Sequence, residues 1–410
     1  MDIPKLFDGA ADCCGCESCL AACPKGAIAM VEDANSFAFP RIDRSLCIGC
    51  HACVRACGLH QLLGQETSGP WYAAAGTGDV SHSASAGTFV TLAREVIAQG
   101  GCAFGAAYEA EADGLHVRHR MAENEEGLAT LQNSKYVQSE AGPCFPEVRR
   151  QLATGRPVLF SGTPCQIAGL RGYLGKESYP NLYTADLVCH GVPSQPMFRA
   201  WVANLEKKYG SRVNDVRFRS KRDGWGHSLL IILLFDDQEE PEYLSCDIDY
   251  YGMFLGLETL RDSCYECPYA GSYSVGDLTL GDFWCVQVNA PEVLEDSIRF
   301  NEERGVSCLL VNNAHGREAL ERFGIGLALK EVGFDAIAKG NDQLRHPSVR
   351  PADRNKLMKA WREGGWDGAS RWWRWHHVVP GRVKTTIIKA VKGLLPAPVL
   401  NILKRLRRGA

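Results

Sequence analysis

CCGCESCLAACP, residues 13–24, sets Cys13, Cys16, Cys19 and Cys23 in the spacing C-x2-C-x2-C-x3-C, closed by Pro24. CIGCHACVRACG, residues 47–58, repeats it with Cys47, Cys50, Cys53 and Cys57, at a constant offset of 34 residues. Three thiolates two residues apart can wrap one face of a cubane iron–sulfur cluster, and the chemistry of such a cluster is one-electron transfer. Zinc is the competing reading, because C-x2-C pairs also make zinc sites. A zinc ion takes four ligands, commonly as two separated pairs, which leaves four cysteines in each run unexplained.

The paired runs resemble those of bacterial two-cluster ferredoxins, in which the fourth cysteine of each run ligates the other cluster. That resemblance implies one 4Fe-4S cluster on Cys13, Cys16, Cys19 and Cys57, and a second on Cys47, Cys50, Cys53 and Cys23. Gly58 stands where a proline would follow Cys57, which loosens the turn and removes no ligand. Cys14 lies outside the spacing and reads as a bystander.

The chain has 410 residues, room for two or three domains, and its 45% apolar and 23% charged content is that of a soluble globular protein. Eighteen cysteines would mean disulfides in a secreted chain. The opening MDIPKLFDGAADCC has neither a basic nor an apolar targeting region, so a reducing cytoplasm is expected, with the thiols serving metals. No apolar run approaches a membrane span; the longest, LLIILLF at 229–235, reads as a buried strand. The net charge of −3 conceals an asymmetry. Residues 368–410 hold ten Lys/Arg and no Asp/Glu, leaving 35 basic against 48 acidic residues elsewhere.

Residues 1–63 read as the ferredoxin-like module, held folded in part by its clusters. A Gly/Ser/Ala-rich stretch at about 64–87 reads as a linker. Helices are then expected at Thr88–Gln99, Pro143–Ala153, Gln166–Leu174 and Gln195–Tyr209. Strands are expected at 102–108, 157–162 and 182–191, a βα rhythm with parallel strands. After Ser211 the pattern changes to a mixed or antiparallel sheet (VNDVRFRS, HSLLIILLF), a cysteine loop at 264–269, VGDLTLGDFW, and a last βα pair from 306 to 324.

Four further cysteines stand apart. Cys165, in SGTPCQ, is expected immediately after a strand and at the start of a helix, where the helix dipole lowers a thiol pKa. Cys189, in VCHG, is expected at the end of the next strand, and Cys264 and Cys267 form a C-x2-C turn. They total four thiolates, enough for one more cubane; the alternative is two buried core thiols and an unrelated turn.

SAGTFVTLA (85–93), SKYVQSE (134–140), GRPVLFSGTPCQIAGLRGYL (155–174), DLVCHGVPS (186–194), SCYECPY (263–269) and GDLTLGDFW (276–284) together resemble the coenzyme F420 hydrogenase/dehydrogenase beta-subunit family. The resemblance spans about residues 1–335 and is to the bacterial form, with a two-cluster ferredoxin fused ahead of the flavin domain. It implies FAD and a third 4Fe-4S cluster on Cys165, Cys189, Cys264 and Cys267. Ala86-Gly87 stands where the family often has Gly-Gly. The expected fold is α/β (α+β): a ferredoxin-like module (1–63), a mixed-sheet flavin and iron–sulfur body with N-terminal-type (70–210) and C-terminal-type (211–350) domains, and a helical basic tail (351–410).

For a flavin, Gly87 and Thr88 open a helix and offer backbone N–H groups to phosphate. Lys135 can place a charge near ring or phosphate, and Tyr136 can stack; the alternatives are a surface charge and a core aromatic. Gly162 and Thr163 form a nest beside Cys165. His190 can shuttle a proton to reduced flavin or cap the strand end, while Asp277 and Asp282 read as turn caps. Such a chain joins a hydride-level substrate to single-electron clusters. The family's hydride partner is F420, and relatives reduce other substrates, chlorophyll-type pigments among them. The competing reading is a non-catalytic adaptor wiring a partner enzyme to a ferredoxin pool. The tail adds a further one, an accessory to membrane glycan assembly. RWWRWHH (371–377) precedes two basic amphipathic patterns, Val383–Leu395 and Val399–Leu406, parted by Pro396 and Pro398. These suit the inner face of a membrane, or docking on protein.

Overall fold

The computed structural model describes residues 2–61, 65–66, 69–222, 224–226, 230–235, 242–243 and 248–378. Two compact units divide the chain, Met1–Arg354 and Asn355–Ala410.

At the start of the first unit the two cysteine runs fold alike. The first closes on α1 (Ser18–Ala21), a hairpin of β1 (Ile28–Glu32) and β2 (Ala38–Ile42) follows, and the second closes on α2 (Ala52–Arg55) and α3 (Gly58–Gln61). Gly15 and Gly49 both have positive φ, and so do Glu17 and His51, each pair at the 34-residue offset of the repeat. Left-handed backbone is unfavourable for glutamate and histidine, and strain of this kind gathers where a loop must wrap a site.

The chain continues through β3 (Gln65–Glu66), β4 (Trp71–Gly76), α4 (Thr88–Ala98), β5 (Cys102–Glu111), β6 (Gly114–Ala122), α5 (Glu125–Leu131), α6 (Phe145–Ala153), β7 (Val158–Ser161), α7 (Pro164–Leu174), β8 (Leu182–Leu187) and α8 (Gln195–Tyr209). There follow β9 (Val213–Ser220), β10 (Leu230–Phe235), β11 (Glu242–Tyr243), α9 (Asp249–Leu255), β12 (Tyr273–Ser274), β13 (Leu278–Asp282), α10 (Val286–Asn289), β14 (Ser307–Val311), α11 (Ala314–Phe323), β15 (Leu327–Glu331) and α12 (Phe334–Ala338). Eight strands make one mixed sheet in the order β15-β4-β14-β13-β8-β7-β5-β6. The central run β13-β8-β7-β5 is parallel and the flanking pairs are antiparallel. Period-two alternation sorts the side chains of β7 between two cores. Val158 and Phe160 meet α6 and α7 through Val148, Leu152, Ile167 and Leu170. Leu159, between them, faces α4 and α11 with Val90, Val96 and Phe323. β9, β10 and β11 form a separate antiparallel sheet, as the change of pattern after Ser211 predicts. Strands on both sides of residue 211 share the main sheet.

Several boundaries depart from the sequence reading. The stretch expected to be a linker contains β4, an interior strand paired with β14 and β15, whose Ala73 and Ala74 are fully buried. Small residues there serve close packing, not chain freedom. The helix expected from Pro143 begins at Phe145, after a single tight turn over Gly142–Cys144. β8 ends at Leu187, so Cys189 sits in the following loop and not on the strand. Helix α8 matches its expected span because both ends carry strong signals: Ser194 accepts from the Met197 amide, and Gly210 exits at φ 72°.

The cysteine module is fitted directly onto the body through α7. A Cβ on Gly172 would lie 2.3 Å from the Ala56 carbonyl oxygen, and one on Gly58 2.5 Å from the Ala168 carbonyl carbon, so only glycine allows this approach. Cross-connections fix the seating: Gln138 Nε2 donates to the carbonyls of Cys14 and Gly15, the Gly142 amide donates to Glu17, and the Tyr269 hydroxyl donates to the Gly58 carbonyl.

In the second unit, α13 (Arg354–Trp373) bends at Gly365 (φ 56°, ψ −147°) and runs into a wide turn over Arg374–Val378. RWWRWHH is therefore helical, with Trp372 stacked on His376 at 4.2 Å and Trp375 exposed. The amphipathic segments expected beyond residue 380 lie outside the described residues, and among the described residues no helix is long and apolar enough to cross a membrane.

Candidate metal and flavin site

Within the module the thiols approach one another across the two runs. Cys19 has Cys13, Cys57 and Cys53 as neighbours, Cys57 has Cys13 and Cys53, and Cys53 has Cys23 and Cys50. The last cysteine of each run thus lies near thiols of the other run. Burial, with neighbouring thiols adding to it, pushes Cys19 up to about 12 and also raises Cys53 and Cys57. Crowded thiols of this kind resist ionising alone and suit an iron centre, whose positive charge offsets the thiolates.

A third set forms at the carboxyl edge of the parallel strands. β7 and β8 pair with Ser161 opposite Ala185, and Cys165 and Cys189 each lie four residues beyond that pair, Cys165 in the first turn of α7 and Cys189 in the loop after β8. The loop Asp262–Glu266 brings Cys264 and Cys267 to the same place, so that Cys165, Cys189, Cys264 and Cys267 are mutual neighbours. Gly191, at φ 122°, permits the approach: a Cβ there would fall 2.9 Å from that of Cys264. All four are partly buried. Cys165 does not behave as a thiol activated by a helix N-terminus. Its contact with Cys14, followed by burial, raises its pKa well above the usual value, and burial raises Cys189, Cys264 and Cys267 as well. Cys14 is no bystander, since its buried thiol touches both Cys16 of the module and Cys165 of the body. A cleft opens beside this set, lined by Cys189, Cys267, Tyr269, Tyr273 and Phe334 among others.

The residues expected to hold a flavin are placed less uniformly. Gly87 (φ 76°) is the N-cap of α4, and the hydroxyl of Thr88, buried at the helix start, has no hydrogen-bond partner. Lys135 turns inward: its ammonium donates to the carbonyls of Thr130, Gln132 and Asn133, and burial lowers its pKa to about 8. Tyr136 belongs to an aromatic cluster with Phe218, Tyr251 and Phe254, and its hydroxyl accepts from Arg219. The amides of Gly162 and Thr163 are engaged within the fold, by Ala185 O and Gln166 Oε1. His190 follows Cys189; burial lowers its pKa, against the fields of Asp282 and Asp342. The two aspartates expected to cap turns do otherwise. Asp277 accepts from the Thr184 amide and hydroxyl and pairs with Arg171. Asp282 pairs with the buried Arg219 at 2.9 Å, whose guanidinium lies over Trp284.

Residues 12–62 match the model of the 4Fe-4S dicluster domain, and residues 155–332 match that of the C terminus of the coenzyme F420 hydrogenase/dehydrogenase beta subunit. Among solved structures, a chain of the F420-reducing NiFe hydrogenase complex from Methanosarcina barkeri is similar, at 14% identity and a TM-score of 0.46 over 74% of this chain and 94% of that one. No curated protein matches. The two matches indicate an iron–sulfur electron-transfer protein related to the F420 hydrogenase beta subunit.

The matched segment 155–332 contains all four cysteines of the third set. It also contains residues that sequence reading missed: Arg219, Trp284 and, above all, Arg261, which is 1% exposed beside Cys13. Nothing in the sequence singles out an arginine for burial; its place follows from the meeting of module and body.

Proposed function

We propose that the chain is an iron–sulfur flavoprotein oxidoreductase, passing electrons between a hydride-level substrate, F420 or a compound like it, and a ferredoxin-type partner. The observation that carries this reading is the convergence of Cys165, Cys189, Cys264 and Cys267 on one point, with Cys14 joining that point to the dicluster module. Four soft thiol donors and no imidazole or carboxylate among them fit a third 4Fe-4S cluster. When bound, FAD exchanges an electron pair with substrate and the clusters exchange single electrons, so together they interconvert the two. Of the expected flavin residues, Thr88 fits best, because its buried hydroxyl lacks a partner at a helix N-terminus suited to phosphate. His190, next to Cys189 and in the field of Asp282, would pass a proton as a neutral imidazole, since burial lowers its pKa. At the other end, Cys50 is exposed, flanked by exposed Leu46 and Ile48, an apolar rim on which a protein partner can dock.

The second reading, an electron carrier without flavin, draws on the internal engagement of Lys135, Tyr136, Gly162 and Thr163. Flavin content decides between them. Anaerobic purification followed by acid release and quantification of flavin is expected to give about one FAD per chain; protein with its full iron and no flavin supports the carrier.

A further inference from the structure

Arg261 presents an imbalance of charge. It is 1% exposed, and its hydrogen bonds go to neutral partners or to sulfur. Nε donates to the Cys13 carbonyl at 2.7 Å, Nη1 to Gln138 Oε1 at 3.2 Å, and Nη2 to the Ala38 carbonyl at 2.8 Å and to Cys13 Sγ at 3.8 Å. The guanidinium lies over Phe39 at 4.2 Å. Among the described residues no carboxylate forms an ion pair with it. Glu17 lies within its field but turns its oxygen to the Gly142 amide. A buried cation is costly unless an anion offsets it. Thiols of both sets lie in its field, Cys13 of the module and Cys165 and Cys264 of the body. Cys14, in contact with Cys16 and Cys165, shows how closely those sets approach.

We infer that Arg261 is a positioning residue for electron transfer: its fixed charge acts on both the cluster held by Cys13, Cys16, Cys19 and Cys57 and the cluster held by Cys165, Cys189, Cys264 and Cys267, and raises the reduction potential of both. The second half rests on the proposed third cluster. Taking up one electron makes a cluster one unit more negative, and a nearby cation favours that state. A charge shared between two centres moves their potentials together and keeps them matched for exchange. The Cys47, Cys50, Cys53 and Cys23 centre has no contact with Arg261 among the described residues.

The test uses the full chain, purified without oxygen, with Arg261→Gln and Arg261→Lys. Iron per chain is counted, and midpoint potentials are read by electron paramagnetic resonance during titration with dithionite. Arg261→Gln is expected to keep its iron and to lower two of three midpoints, by about tenfold in the reduction equilibrium or about 59 mV for a one-electron couple. Arg261→Lys is expected to stay near wild type. Unshifted midpoints in an iron-replete Gln variant overturn the inference, and so do equal shifts at all three centres. If Arg261→Gln sheds iron, retention by Arg261→Lys supports the charge, and loss from both variants overturns it. A wild-type chain holding about eight irons removes the third cluster. A single lowered midpoint would then still support the role of Arg261 at the Cys13 centre, and none would end it.

Discussion

The two cysteine regions of this protein are built by opposite means. In the dicluster module eight ligand candidates lie within 45 residues, placed by two copies of one turn with the same left-handed positions. The third set draws four thiols from three segments spread over about a hundred residues, and the sheet brings them together. The module has little core besides its metal sites, whereas the body buries two continuous apolar layers around β7. Metal should therefore be part of the fold in the first region and a passenger on the fold in the second.

Cysteine deletions test that contrast with the largest effects. Cys53→Ala is expected to lose about four irons and to unfold the module, because cluster binding free energy is folding free energy there. Cys189→Ala is expected to lose about four irons with the body's thermal transition little changed. Iron assay and limited proteolysis read both, and a body that melts with Cys189→Ala would erase the distinction. Next in size is the joint between the regions. Gly58→Val would drive a side chain into the backbone of Ala168, for an overpacking cost of about 1–3 kcal/mol in urea unfolding. No loss of stability would show that the module is tethered and not seated.

Acid should act on the body more gently. His119 is buried, with Nε2 bonded to the Ser161 carbonyl and Nδ1 to Ser139, behind the helix start that carries Cys165. Burial lowers its pKa from 6.5 to about 4. Below 6.5 the unfolded chain binds a proton that the folded chain does not, so this contribution is present above pH 6.5 and is lost as pH falls toward 4. Between pH 7 and 5 the difference in unfolding free energy between wild type and His119→Gln should narrow by about 2 kcal/mol. A pH-independent difference would mean that His119 is not the titrating group.

The same contrast explains what could be read from the sequence. Ligand spacing in the module is local, so its repeat was legible, as was α8 between Ser194 and Gly210. The main parallel strands were legible from their apolar runs. β4 was not, because WYAAAG is made of small residues that also mark linkers, and only its neighbours β14 and β15 give it a partner. Cys14 and Arg261 carry no spacing signal at all. Their roles arise from the surface between module and body, which no local pattern encodes. Lys135 and Tyr136 read as candidate flavin contacts, yet three carbonyls and an aromatic cluster engage them.

The central claim is that separated segments assemble a third iron–sulfur centre beside the module. Its most direct measurement is the iron and acid-labile sulfide content of anaerobically purified wild-type protein beside Cys165→Ala. The account predicts about twelve irons falling to about eight. About eight in both proteins would contradict it.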